Sequence, residues 1–194
     1  MKLTNEFEVA VPLPRTWATL LDVPRVARAL PGATIAPEPE GGAWRGTMKV
    51  RLGPVTTEYA GTARVQDVDE DERVASYRVE GREARGQGSA AATITARLAA
   101  GDGGTRVIVE TDMQVTGRQA QLGRGLMEEV ASAILGDFAG RLERELRGEG
   151  APPGAAPEAL DVSAAVRGPL LERAGLVLAG VLAGLALGRV VWRR

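Results

Sequence analysis

The sequence predicts an α+β domain: an antiparallel sheet of six or seven strands, then one long helix, with an apolar tail helix appended. Three observations carry this. Runs of alternating apolar and polar side chains dominate residues 2–115, the pattern of strands with one buried face. Residues 119–147 switch to helical spacing, with apolar side chains every three or four positions. Residues 174–188 then run without a charged or strongly polar side chain.

In residues 2–11, Leu3, Phe7, Val9 and Val11 fall on one face and Thr4, Glu6 and Glu8 on the other, as in a half-buried strand. Pro12 ends it. Pro14 suits a first helical turn, after which Trp17, Leu20 and Leu21 share a face. A second short helix over 24–30 closes at Pro31-Gly32. In residues 44–52, Trp44, Gly46, Met48, Val50 and Leu52 alternate with Arg45, Thr47, Lys49 and Arg51. Gly53-Pro54 marks a turn. Residues 55–66 put Val55, Tyr59, Ala63 and Val65 opposite Glu58, Thr62 and Arg64, and the acidic run 67–72 reads as the next turn. Ala75, Tyr77 and Val79 mark a further strand. Ala90, Ala92, Ile94, Ala96 and Leu98 mark another, and Val107, Val109, Thr111, Met113 and Val115 the last. Residues 101–104, Gly-Asp-Gly-Gly, are hairpin chemistry. Single-face alternation repeated in this way means an antiparallel sheet with one wet side. Along the long helix, Leu122, Leu126, Val130, Ile134, Phe138, Leu142 and Leu146 form the apolar face, with Arg141/Glu145 and Glu143/Arg147 as exposed i,i+4 pairs. The organisation is therefore a domain over 1–147, a Pro/Gly/Ala linker over 148–168 and a tail over 169–194.

Composition narrows the chemistry. At 44% hydrophobic but 4% aromatic, the core is aliphatic. The absence of Cys and His excludes disulfides, thiolate nucleophiles and His-based triads, and leaves only carboxylates for a metal, which are not spaced for one. A net charge of −1 argues against nucleic acid as a partner. Residues 151–194 hold five arginines against three acids, a net of +2 that suits an anionic lipid surface, and leave −3 on residues 1–150. The opening MKLTNEFEVAVPLP alternates and lacks the apolar run of a signal peptide, so the globular part is expected in the cytoplasm.

The order of elements resembles the helix-grip fold of the START/Bet v 1/polyketide-cyclase (SRPBCC) superfamily, in which the sheet curls around the long helix. Within it, residues 1–147 resemble the G-subunit family of carbon monoxide dehydrogenase, through Phe7-Glu8-Val9 followed by Pro12, Trp17, the Leu30-Pro31-Gly32 turn, and Thr116-Gly117 with Leu122-Gly123 at the entry to the long helix. These are fold motifs and carry no catalytic group.

Such a fold encloses a space between sheet and helix. The inward faces here are lined by small residues: Gly46, Gly61, Ala63, Ala75, Gly81, Ala90, Ala92 and Ala96. Unfilled apolar volume is costly unless something occupies it. The expectation is an apolar ligand cavity lined by Met48, Tyr59, Tyr77, Ile94, Met113, Leu126, Met127, Ile134 and Phe138. The alternative is a helix seated closer to the sheet over a tight core. A buried phenol wants a partner, so Tyr59 and Tyr77 each bond either a ligand carbonyl or a backbone group. By alternation Glu58, Glu110 and Asp112 face water near Arg64, Arg97 and Arg106, as cross-strand ion pairs do. Arg82 and Arg85, beside Glu83, either rim a cavity mouth or form a surface docking patch. No positioned acid–base pair is visible, so no enzyme is expected.

In the tail, Gly180, Gly184 and Gly188 share one helix face and allow close helix approach in lipid, while Trp192 suits the headgroup belt. A spanning segment needs ~20 mostly apolar residues, and Arg193-Arg194 would cross against the positive-inside preference. Three readings stand: a spanning C-terminal anchor, a helix lying in the interface, and a helix docked on a partner protein.

The resemblance implies a non-enzymatic accessory protein at the cytoplasmic face of the cell membrane, C-terminally anchored, that serves a molybdenum hydroxylase of the carbon monoxide dehydrogenase type. Its cavity would hold a lipophilic small molecule, a respiratory quinone or another lipid, and no covalent cofactor. Two other readings are a polyketide-cyclase-like enzyme or carrier acting on an aromatic or lipid ligand, and a docking tether with no ligand.

Overall fold

The computed structural model describes residues 1–52, 55–117, 120–121, 124–149 and 160–161. Seven antiparallel strands form one curved sheet in the order β1-β7-β6-β5-β4-β3-β2: β1 (Lys2–Val9), β2 (Ala33–Ile35), β3 (Trp44–Leu52), β4 (Val55–Asp69), β5 (Val74–Glu83), β6 (Ser89–Gly101) and β7 (Gly104–Val115). Helices α1 (Leu13–Leu20) and α2 (Val23–Ala29) connect β1 to β2. The long helix α3 (Arg124–Arg147) follows β7, lies along β1 and reaches α1 and α2. This is the helix-grip fold.

Local chemistry sets the elements. Pro12 precedes α1 and Pro14 sits in its first turn, where the missing N–H costs nothing. Asp22 caps α2 by accepting from the Arg25 N–H at 3.1 Å. Gly32 then takes a φ of 78° and turns the chain into β2, a three-residue strand whose Ala33, Thr34 and Ile35 pair with Met48, Thr47 and Gly46. β2 is too short to show an alternation, so the pattern of side chains does not predict it.

Three expectations change. β4 runs on to Asp69 past a register shift between Val65 and Asp67, so only the end of the acidic run 67–72 lies in the turn. The long helix starts at Arg124, after a short turn at 120–121; Leu122 lies outside the described residues. Glu145 bonds Arg28 of α2 at 2.9 Å instead of Arg141, tying α2 to α3, whereas Glu143 and Arg147 pair as expected.

The core is concentrated at one end of the grip. Phe138, Leu142 and Leu146 of α3 meet Val9, Trp17, Leu20, Ala75, Ala96, Leu98, Val107 and Val109. Phe7 meets Phe138 edge-to-face, with ring centroids 5.8 Å apart. The Arg73 guanidinium covers Trp17 at 5.5 Å. Buried Thr105 donates to the Val11 carbonyl at 2.7 Å and holds the β1–α1 corner on β7.

Further along the strands, Gly46, Gly61, Gly81 and Ala90 stand side by side in register across β3 to β6. The sequence alone reads these as space for a ligand, but for two of them the structure gives another reason. A Cβ on Gly61 would run into the Glu80 carbonyl and the Gly81 Cα, and one on Gly46 into the Thr34 carbonyl. Both glycines are required by the close approach of neighbouring backbone where the sheet bends. Gly81 is different: its Cβ would meet Tyr59 Cβ at 3.5 Å, ordinary contact.

Among the described residues no helix is long and apolar enough to cross a membrane. The tail, with Gly180, Gly184, Gly188, Trp192, Arg193 and Arg194, lies outside them. Within the linker, Leu160 and Asp161 form β8, which pairs in parallel with Val50 and Arg51 of β3.

Gly61→Ala is expected to destabilise the domain by at least about 2 kcal/mol, because backbone must move. Gly81→Ala should stay within about 0.5 kcal/mol of the natural chain. Urea unfolding midpoints check both.

Candidate functional site: the open end of the grip

Register orders the inner face into rows that run from the packed end outward. Val65, Tyr77, Ile94 and Thr111 form one row. Trp44, Ala63, Val79, Ala92 and Met113 form the next. The glycine row follows, then Met48, Tyr59 and Glu83, with Val50 and Thr57 beyond them. Burial is densest at the packed end. Ala75, Ala96, Leu98, Val107 and Val109 are buried there; Met48, Tyr59, Ala63, Val79 and Met113 are half-buried on the same face, while Ala92 beside them and Thr57 beyond them are buried.

The helix shows the same gradient. Its last turns belong to the packed end. Its first turns carry a separate apolar cluster, in which Val130, with Leu126, Ala133 and Ile134, meets Val50 of β3. The two clusters are distinct, and on the inner face of β4 to β6 between them Ala63 and Val79 are half-buried while Ala92 is buried. Solvent reaches apolar surface there.

The nine residues expected to line a cavity therefore divide. Phe138 is part of the packed core, and Tyr77 and Ile94 pack against it, forming the floor. Met48, Tyr59 and Met113 are half-buried on the inner face of the sheet. Leu126 and Ile134 stand in the opposing helix cluster, and Met127 is half-buried on the same helix.

The two tyrosines have different partners. The Tyr77 hydroxyl donates to the Leu20 carbonyl at 2.7 Å, so of the two partners open to it the backbone takes the bond. Burial pushes its phenol up to about 12. The Tyr59 hydroxyl has no hydrogen-bond partner among the described residues, and its phenol is raised first by burial and then by the charge of Glu83.

Glu83 is a site residue that the sequence alone does not single out. Stepping by two from Ala75 through Tyr77, Val79 and Gly81 arrives at Glu83, and β4 sets Tyr59 opposite it. Among the described strands it is the one charged side chain that alternation sets on the inner face. Its Oε2 accepts from the buried Gly88 N–H at 3.4 Å. The period of two carries the signal, but a strand end next to Arg82 and Arg85 looks like loop.

The outward acids pair differently from expectation. Glu58 pairs with Lys49 at 3.8 Å, Asp112 with the N-terminal amine at 3.6 Å, and Arg106 with Glu6. On the outer face, behind the glycine row, an open depression of about 370 Å³ is walled by Ala60, Glu80, Arg82, Ser89 and Ala91.

A curved antiparallel sheet with one long C-terminal helix, closed by a core at one end, defines a helix-grip domain. The chain belongs to the CoxG family, the G subunits of carbon monoxide dehydrogenase, and the family model matches residues 6–147. Similar solved structures include a conserved protein from Geobacillus kaustophilus (17% identity, TM-score 0.67, covering 76% of this chain and 96% of that one). Protein Ms6760 from Mycobacterium smegmatis is 22% identical, with a TM-score of 0.53 over 76% of this chain and 91% of its own. A Rhizobium leguminosarum protein is 17% identical, with a TM-score of 0.53 over 77% and 95%. These likenesses are of fold. No curated protein matches the chain in sequence. Membership of a G-subunit family gives an accessory role.

Because the Tyr77 phenol is raised, the unfolded chain ionises first as pH rises. Its contribution to stability is whole below about pH 10 and is lost as pH climbs towards about 12. Tyr77→Phe should remove that slope and cost about 1 kcal/mol at pH 7, read from chemical unfolding at stepped pH.

Proposed function

We propose that this protein is a membrane-associated, non-enzymatic accessory protein of a molybdenum hydroxylase of the carbon monoxide dehydrogenase type, and that the open end of the grip carries a lipophilic ligand, a respiratory quinone. One observation carries the reading: half-buried apolar side chains on the inner face, from Trp44 and Met48 through Ala63 and Val79 to Met113, between two separate apolar clusters. Leaving that surface wet costs roughly 25 cal/mol per Å². An apolar ring and chain laid between sheet and helix removes the cost, and the half-buried methionines adapt to its shape.

The family supports the partner. The enzyme's electrons must reach a lipid-soluble acceptor, and a carrier with an apolar receptacle brings that acceptor out of the bilayer. The tail supports the location: residues 174–188 are apolar throughout, and the arginines beside them suit an anionic lipid surface. The pairing of β8 with Val50 and Arg51 starts the tether beside the open end, next to the helix cluster that faces it.

Full-length protein purified from membranes in mild detergent should carry near-stoichiometric quinone by lipid mass spectrometry. Gly81→Leu, which fills the space from a position where a Cβ fits, should lose it while keeping its fold. A natural chain that purifies without lipid and takes up none would refute the carrier. Deletion of 169–194 should move the protein from the membrane to the soluble fraction with ligand uptake intact. A truncated chain that still sediments with membranes would refute the anchor.

A further inference from the structure

We infer that Tyr59 and Glu83 form a donor–acceptor pair that reads the redox state of the ligand headgroup and holds the dihydroxy (reduced) form more tightly than the dione. The inference rests on the quinone reading above and specifies the polar end of that site. The two residues are cross-strand neighbours on the inner face, in the row beyond the glycines and beside Met48. Both are half-buried. The Tyr59 hydroxyl has no partner among the described residues. None of the ion pairs among those residues includes Glu83.

The Glu83 carboxylate lies against the loop after β5. Gly88 donates its N–H to Oε2 at 3.4 Å, and the carboxylate sits where a Cβ at Gly86 would fall. Among the described residues that one long hydrogen bond leaves most of its acceptor capacity unused. A half-buried acceptor left unsatisfied beside apolar walls is costly, and a hydrogen bond to a charged group is among the stronger ones.

Ligand chemistry then decides. A dione offers acceptors only. Tyr59 can donate to one carbonyl, but a carbonyl turned to Glu83 sets acceptor against acceptor. A hydroquinone offers hydroxyl donors: one hydroxyl gives its proton to the Glu83 carboxylate as a hydrogen bond, and Tyr59 donates to a hydroxyl oxygen. Tyr59 serves both forms, whereas Glu83 serves only the reduced one. A carrier with this pair would keep the reduced headgroup until it reached lipid and would hold the oxidised one loosely enough to give it up.

The test uses the full chain in mild detergent, titrated with decylubiquinone and, under anaerobic reducing conditions, decylubiquinol. The natural protein should bind the reduced form about tenfold more tightly. Glu83→Gln, whose amide can also donate, should erase or invert that ratio. Tyr59→Phe should weaken the oxidised form about fivefold and the reduced form less, and it keeps the answer available if Glu83→Gln does not fold. Both forms binding with a ratio unmoved by Glu83→Gln, or weakened equally by Tyr59→Phe, overturns the pair while quinone carriage stands. Neither form binding the natural chain overturns quinone carriage and the pair with it.

Discussion

The packing of the last turns of α3 against the closed end of the sheet is the interaction on which the rest of the molecule depends. Leu142 and Leu146 are almost wholly buried there, among Val9, Trp17, Leu20, Ala75, Leu98 and Val107. Truncating one such leucine costs about 2–5 kcal/mol, a large part of the stability of a small domain. Stability concentrated at one end relieves the other end of that duty. The first turns of α3 need only touch Val50, and the inner face between can stay partly exposed.

Backbone geometry completes the arrangement. A sheet that is packed at one end and open at the other must bend, and the bend falls where Gly46 and Gly61 let neighbouring backbone come close. The same row removes side chains from the inner face, so bending and hollowing share one cause. Beyond it stand Tyr59 and Glu83, one polar row beside an apolar space. That matches the usual composition of a small-molecule site, mostly apolar with a few placed polar groups.

Much of this is legible in the sequence. Strict alternation at Trp44–Leu52 and from Ala90 to Val115 sets the strands and their inner faces, because a period of two admits one register per buried side. The spacing of Val130, Phe138, Leu142 and Leu146 sets the helix. Other features depend on partners distant in the chain. Glu145 chooses Arg28 over the nearer Arg141 because α2 packs there, and Tyr77 bonds Leu20 because α1 crosses the sheet at that end. A period of two states that Gly61 is inward but not that Glu80 leaves no room for a Cβ. It places Glu83 inward too, but a charged residue at the end of a strand reads as solvated. β2 and β8, three and two residues long, are too short to carry a pattern at all.

The proposed function joins a stable closed end to an apolar receptacle. Amide hydrogen exchange of the full chain with and without decylubiquinone tests this most directly, since it reports each region separately. Protection should rise around Met48, Tyr59–Gly61, Gly81–Glu83 and the first turns of α3, with the already slow amides near Leu98, Val107 and Leu142 unchanged. Protection at Ala60, Glu80 and Arg82 with none at Met48 or the first turns of α3, or no change anywhere, would contradict it.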